Sequence, residues 1–276
     1  MGRVPECLAP FVSAIHGYRI EGLPGGTHVG LPSRALTLVL SLTEPVEMSV
    51  PGVSQRVRIF SVLGGLHDEP VLIHHDGNQC GISLALTPVG ARVMFGLPPG
   101  ELATRVVDLE DVLGWKGRQL RERLQELGTW TERLDLVTSI LQRRLLRWVD
   151  AGHLGPKPEL AEAWRVLSRR DGSVTISHVA RHVGWSTRHL GERFRAEYGL
   201  GPKTMARVMR FERSSRLVRL APPGRSVAQI AAACGYADQA HLTREWRSIA
   251  GVTPARWLVD DVLANLQDDA SGAEAG

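Results

Sequence analysis

The sequence predicts an α+β protein in two parts. An N-terminal β-barrel-like domain with flanking helices precedes an all-α domain of two helix-turn-helix units joined by a long helix. Three observations predict this. Short apolar runs broken by Pro and Gly fill the chain up to about Leu86, a helix–turn–helix pattern between Val174 and Pro202 returns about fifty residues later, and basic charge gathers where that repeat lies.

At 276 residues the chain is long enough for two domains with separate cores. Residues 1–156 hold 15 Lys+Arg against 16 Asp+Glu, net −1, and residues 157–262 hold 18 against 10, net +8. The last 14 residues hold three acidic groups and no basic ones. One half suited to a polyanion and one half with another task is the simplest reading of that division. Cys7, Cys80 and Cys234 are too far apart for a metal knuckle and too few for a disulfide framework. Cys234 falls inside a helix of the repeat, where a small buried residue is expected. The first twenty residues have no apolar run of signal-peptide length, and no segment reaches the roughly 20 apolar residues of a membrane span, so a cytoplasmic protein is expected, nucleoid-associated when bound to DNA.

In chain order, the runs Thr37–Leu42, Val57–Leu63 and Gly81–Leu86 read as strands. Pro32, Pro45, Pro51-Gly52, Gly64-Gly65 and Asp76-Gly77-Asn78 read as the turns between them. Short strands at that spacing suggest a small barrel or sandwich. Such cupin-like barrels often hold iron or zinc, and His28, His67, His74 and His75 lie in this half. The metal pattern needs two His separated by one residue with a Glu a few positions on. Adjacent His74 and His75 point to opposite faces of a strand, and Glu69 follows His67 too closely. Structural or solvated histidines are therefore expected, with no metal and no cofactor, and the absence of paired carboxylates or a nucleophile elbow argues against an enzyme.

Thr87-Pro88 is a capped helix start. Leu109–Leu127 and Thr129–Val149 follow as two long amphipathic stretches; in the second, Leu134, Val137, Ile140 or Leu141, Leu145 and Trp148 recur at helical spacing. That stripe can pack on its own barrel or dock a second subunit, and the two are compatible. The N-terminal domain is thus placed at 1–152. Residues 153–158, rich in Gly and Pro, form a linker, 159–262 form the helical domain, and 263–276 form an acidic tail expected to be disordered.

Glu159–Arg170 reads as a helix covering the first unit. In that unit Ile176, Val179, Ala180 and Val183 are apolar at helical spacing, Gly184 breaks the run, and Ser186 caps a second helix burying Leu190 and Phe194. Lys203–Leu220 is the connecting helix, with Met205, Val208, Met209, Ser215 or Leu217, and Val218 inward. Arg207, Arg210, Arg213, Arg216 and Arg219 recur every third residue, some near DNA and others in solvent or paired with Glu212. Ala221-Pro222-Pro223-Gly224 ends the helix. Val179, Ala180 and Gly184 then return as Ile230, Ala231 and Gly235, and His189, Leu190, Phe194, Gly199 and Pro202 as His241, Leu242, Trp246, Gly251 and Pro254. The second set is displaced by one residue more than the first, which confines the insertion to the turn Gly235–Gln239.

Residues from about Pro158 to Val262 resemble the C-terminal domain of the AraC/XylS family of bacterial transcription regulators. The resemblance is carried by Val227–Ala231, Cys234-Gly235-Tyr236, Gln239, His241, Leu242, Arg244, Trp246, Arg247 and Gly251–Pro254. Leu242 and Trp246 stand where the family usually has Phe, and Ala237 where it often has Ser. The stretch from Gly17-Tyr18-Arg19 to Gly30–Arg34 resembles N-terminal domains of a subgroup of these regulators, largely actinobacterial. The resemblance implies a ligand-sensing or dimerising barrel, a transcription activator or repressor, and double-stranded DNA, RNA polymerase, a small-molecule effector and a second subunit as partners.

For groove-facing residues, Thr187, Arg188, Glu192 and Arg195 are expected in the first unit and Asp238, Gln239, His241, Thr243 and Arg244 in the second, because Arg bonds guanine and Gln adenine bidentately. His189 and His241 hold equivalent places and serve either phosphate contact or structure. Arg181, Lys203, Arg225 and Arg247 are expected on phosphates. Leu190, Phe194, Ile230, Leu242, Trp246 and Trp257 read as core, and with aromatics at only 5% of the chain a base-stacking RNA binder is disfavoured. The competing function is a metal-binding or enzyme-like barrel tethered to DNA, which in self-methylating repair regulators needs a reactive cysteine cluster that Cys7 and Cys80 do not form.

Overall fold

In the computed structural model, residues 4–152, 155–222 and 224–260 are described. The N-terminal half contains strands β1 (Val12–Ile20), β2 (Gly26–Gly30), β3 (Leu36–Ser41), β4 (Val46–Ser49), β5 (Val57–Ile59), β6 (Ser61–Gly64), β7 (Val71–His75) and β8 (Gln79–Leu86). Helix α1 (Pro88–Phe95), a 3-10 turn at Pro99–Glu101, strand β9 (Val106–Asp108) and helices α2 (Leu109–Leu113), α3 (Trp115–Glu126) and α4 (Trp130–Asp150) follow. A five-stranded sheet in the order β1-β8-β3-β6-β9 faces a four-stranded sheet in the order β2-β7-β4-β5, and every pairing is antiparallel.

Two of the expected strands match β3 and β8. The run Val57–Leu63, expected as one strand, is bent at Phe60 and splits: β5 pairs with β4 in one sheet, β6 with β3 in the other. The Phe60 carbonyl accepts the Ser41 N–H at 2.8 Å, so the bend joins the two sheets at a barrel corner. Strand β9 lies beyond the expected end of the β region and adds to the edge at β6. The expected helix over 109–127 is broken by Gly114, whose backbone (φ 62, ψ −149) an L side chain rarely adopts.

Helix starts follow the capping signals. Thr87 Oγ1 accepts the Gly90 N–H with Pro88 in the first turn, and Thr129 and Glu132 form a reciprocal capping box at the start of α4. The α4 stripe packs on its own barrel, with Val137 and Leu141 buried and Leu134, Leu145 and Trp148 packed on the same core. Leu146 and Val149 of the same helix stay exposed. Against the start of α4, Gly17 leaves room for the Trp130 ring, since a Cβ there would lie 2.4 Å from Trp130 Cε3.

The C-terminal half is helical: α5 (Pro158–Arg169), α6 (Ile176–His182), α7 (Thr187–Tyr198), α8 (Pro202–Arg219), α9 (Val227–Ala233), α10 (Gln239–Ala250) and α11 (Pro254–Asp260). The expected linker lies partly, and the tail wholly, outside the described residues.

The cores do not divide as the length suggested. One continuous core runs from Leu8 and the β3–β8 leucines through α4 and α5 into the first helix-turn-helix unit, ending at Met205, Val208 and Met209 of α8. The second unit has its own core, built on Phe211, Val218, Ile230, Leu242, Trp246 and Trp257. The boundary therefore falls within α8, between the two units. The cause is close backbone contact: the 3-10 turn lies against the end of α7, where a Cβ on Gly199 (φ 80) would sit 2.0 Å from the Ala103 Cβ and one on Gly100 would sit 3.0 Å from the Gly199 nitrogen.

On α8 the small inward residue is Ser214, fully buried, while Ser215 is half-buried and bonds the Glu212 carbonyl. Ser214 Oγ donates to the Phe211 carbonyl at 2.7 Å and accepts the Trp246 indole N–H at 2.8 Å. A buried indole N–H left unpaired costs about 1–3 kcal/mol. Ser214→Ala is therefore expected to lower stability by about that amount in chemical denaturation, with the far-UV spectrum of the native state unchanged.

Candidate nucleic-acid interface

Each unit sets a short helix against a second one across a glycine turn. In the first, Thr175 caps α6, Gly184 (φ 74) makes the turn, and Ser186 Oγ accepts the His189 N–H at 3.1 Å to start α7. In the second, Ser226 and Gln229 form a capping box on α9, Gly235 (φ 74) makes the turn, and Asp238 Oδ1 accepts the His241 N–H at 2.6 Å to start α10. Leu190, Phe194 and Tyr198 bury one face of α7, and Leu242, Trp246 and Ile249 one face of α10. The opposite faces are consequently free for another molecule.

Those free faces carry the expected residues. On α7, Thr187, Arg188, Glu192 and Arg195 are exposed, and Arg188 Nε pairs with Glu192 Oε1 at 3.0 Å, one helical turn away. An exposed pair of this kind is worth only a few tenths of a kcal/mol, so Arg188 is readily released to a stronger acceptor. On the second unit Asp238, Gln239 and Arg244 are exposed and Thr243 is half-buried; Asp238 is partly committed as the cap. Arg181, Lys203, Arg225, Arg244 and Arg247 are exposed, and their side chains make no ion pair among the described residues.

His189 and His241 share one arrangement. The Trp185 ring meets His189 edge-on at 4.7 Å, and the Tyr236 ring meets His241 edge-on at 5.3 Å. His241 Nδ1 also accepts the Ala237 N–H at 3.4 Å. Both imidazoles thus brace the turn against the start of the second helix, and each remains half-exposed.

The α8 arginines are mostly engaged within the protein. Arg207 pairs with Glu245 at 3.1 Å, Arg213 with Asp171 at 3.7 Å, Arg210 lies over the Tyr236 ring and Arg219 over the Trp257 ring, leaving Arg216 exposed. Glu212 does not pair with any of them; its partner is Arg34 of the barrel, 178 residues earlier. No short-range signal could have shown that pairing.

In the barrel, His74 bonds Ser49 at 2.8 Å and Thr27 at 3.2 Å, tying β7 to both of its neighbours. Among the described residues no group of three or more His, Cys, Asp or Glu is placed to hold a metal ion. Between the two sheets lies a cavity of about 400 Å³, walled by Val39, Met48, Val62, Val71, Ile73 and Val106. His67, Asp68, Glu69 and Arg105 also line it, and burial holds the His67 imidazole below its ordinary pKa. No local pattern marks this cavity, because its walls come from strands paired across the whole domain.

Two helix-turn-helix units on one connecting helix, with basic outer faces, form a surface suited to duplex DNA. Residues 179–259 match a family described as a helix-turn-helix domain. A probable thc operon regulatory protein of Rhodococcus erythropolis is 28% identical over 109 residues, which cover 37% of this chain and 33% of that protein. The match therefore spans a third of that relative's length. Solved structures of ToxT from Vibrio cholerae resemble the whole fold. An apo form is 10% identical with a TM-score of 0.54 over 91% of this chain and 97% of that one. A form with bound unsaturated fatty acid is 11% identical with a TM-score of 0.54 over 91% and 95%. No helix among the described residues is long and apolar enough to cross a membrane.

An Ala at an N-cap costs about 1 kcal/mol. Ser186→Ala and Asp238→Ala are each expected to lower stability by about that much in denaturant titrations; because the sites lie in different units, the double variant should lose the sum.

Proposed function

We propose that the chain reads two successive major grooves of duplex DNA with α7 and α10, under control of the domain at 1–152. The observation that carries this is the pairing of two capped, outward-facing helices on the single helix α8. Grooves on one face of a duplex recur every ~34 Å, so two helices fixed to one connector suit one helical turn of spacing. Thr187, Arg188, Glu192 and Arg195 read the first block, and Gln239, His241, Thr243 and Arg244 the second. Asp238 contributes from the cap, while His189, Arg181, Lys203, Arg225 and Arg247 meet phosphates. A second subunit docks through α4, whose Leu146 and Val149 are exposed, and RNA polymerase is the further partner.

The control signal is a small molecule held between the sheets. A 400 Å³ space with valine walls suits an apolar body, and Arg105, which makes no side-chain ion pair among the described residues, suits an anionic end. The ToxT structure with bound unsaturated fatty acid supports an apolar carboxylate as the first class to try. Among the described residues no ligand cluster supports the reading with a metal-binding barrel.

The direct test is recovery of bound genomic DNA by the wild type and by the Arg188→Ala/Arg244→Ala double variant. Discrete sites lost in the variant are expected; diffuse binding that only falls with salt contradicts sequence reading. On a recovered site, Arg247→Ala is expected to weaken binding while reducing the slope of log affinity against log salt by about 0.9, the signature of one lost phosphate contact. For the cavity, decanoate at a hundred times its dissociation constant stabilises the fold by about 2.7 kcal/mol, and a melting rise of several degrees is expected. The absence of any rise, for decanoate and for longer and unsaturated acids, contradicts the apolar-carboxylate reading.

A further inference from the structure

The barrel is joined to the DNA-binding helices by more than the linker, and the joints fall at two places. At one, Arg92 of α1 grips Glu197 of α7, with Nη2 at 2.7 Å from both carboxylate oxygens. Both side chains are largely buried, at 19% and 12% exposure, so this is a bidentate pair shielded from water. At the other, the connector between β2 and β3 reaches across. Its Arg34 donates Nη1 to the Ser168 carbonyl at the end of α5 at 3.1 Å and Nη2 to Asp171 at 2.8 Å, and Nε donates to Glu212 in the middle of α8. One guanidinium thus ties α5, the turn after it and α8 to the barrel.

The same connector touches two further things. Leu31 packs against the core of the second helix-turn-helix unit, and Gly30 and Leu31 both line the cavity between the sheets. Ile73, on the cavity wall, has its Cδ1 3.4 Å from where a Cβ on Gly30 would lie. Anything filling the cavity at that wall therefore presses on a five-residue segment whose far end is Arg34. α1 holds only the first unit, whereas the connector reaches the end of α5, the middle of α8 and, through Leu31, the core of the second unit, so moving it acts on the second unit as α1 does not.

We infer that the β2–β3 connector is the coupling element of the protein. Leu31 reports the occupancy of the cavity to the second helix-turn-helix unit, and Arg34 ties the connector to the end of α5 through Ser168 and Asp171 and, through Glu212, to α8 where the second unit begins. This rests on the cavity being the effector site. The hub is a half-buried network with carboxylates on two sides of one guanidinium; removing Arg34 takes away a partner of Glu212, while Asp171 keeps Arg213 at 3.7 Å. Two discrete arrangements, rather than gradual yielding, are what a coupling element requires.

The test is an interdomain distance measured by electron–electron double resonance in the full chain. Spin labels go on Cys introduced at exposed Glu122 of α3 and exposed Ala255 of α11, with Cys7→Ser to remove the exposed native thiol. One narrow distance distribution is expected for the otherwise wild-type chain, and at least a twofold broadening, or a second population, for Arg34→Ala and for Glu212→Gln. Ile73→Phe, which fills the cavity beside Gly30, is expected to shift the distribution in the wild-type background and to add nothing to Arg34→Ala. Gly30→Ala serves the same purpose should Ile73→Phe fail to melt cooperatively. Unchanged distributions in Arg34→Ala and Glu212→Gln would overturn the hub. Broadening in those two without any response to cavity filling would overturn the coupling. Neither readout uses DNA or a ligand, so these failures are separable from failure of decanoate binding or of site recovery.

Discussion

The arrangement of the DNA-binding half depends on α8 burying both ends of one face in different cores. Its first turns put Met205, Ala206, Val208 and Met209 into the core shared with the barrel, and its later turns put Phe211, Ser214 and Val218 into the core of the second unit. Fully burying one such side chain is worth about 1.5–3 kcal/mol, so neither half of the helix can lift off without losing several of them. A helix is stiff over 18 residues, and the two recognition helices packed on it inherit its geometry. Ser214 shows how tightly this is specified: the hydroxyl that satisfies its own helix also satisfies the Trp246 indole across the interface.

From that constraint follows the role of the barrel. Because the first unit shares its core with the N-terminal half, it belongs mechanically to the barrel, while the second unit hangs on the far end of α8 and on the connector through Leu31 and Arg34. The joint that the connector spans is the one between the barrel and α8 with the second unit. An ion-pair hub is suited to hold such a joint, since its strength depends on Arg34 being in place, whereas apolar packing at Gly100 and Gly199 fixes the first unit without alternatives.

The helical half was legible in the sequence because its signals are local. Apolar residues at helical spacing, Ser186 at a helix start, Gly184 and Gly235 at turns, and their recurrence one insertion apart sufficed to place both units. The barrel was legible only as a class. Strands β1 and β7 carry His, Arg or Gly within apolar runs, and their identity as strands comes from partners far along the chain, β8 for β1 and β2 and β4 for β7. The run broken at Phe60 reads as one strand by composition, since nothing local says that its two halves join different sheets. The exposed faces of α7 and α10 were legible as faces. The Arg34 hub was not, because a pairing across 178 residues leaves no periodicity, and the cavity was not, because it is a property of sheet separation.

The central claim is that two units on one stiff helix engage DNA as a single reader. Hydroxyl-radical footprinting of the full-length protein on a recovered duplex tests it most directly. Two protected blocks on one face of the duplex, centred about ten base pairs apart and weakening together as protein is diluted, are the predicted result. A single protected block, or two blocks that titrate independently, would contradict the account.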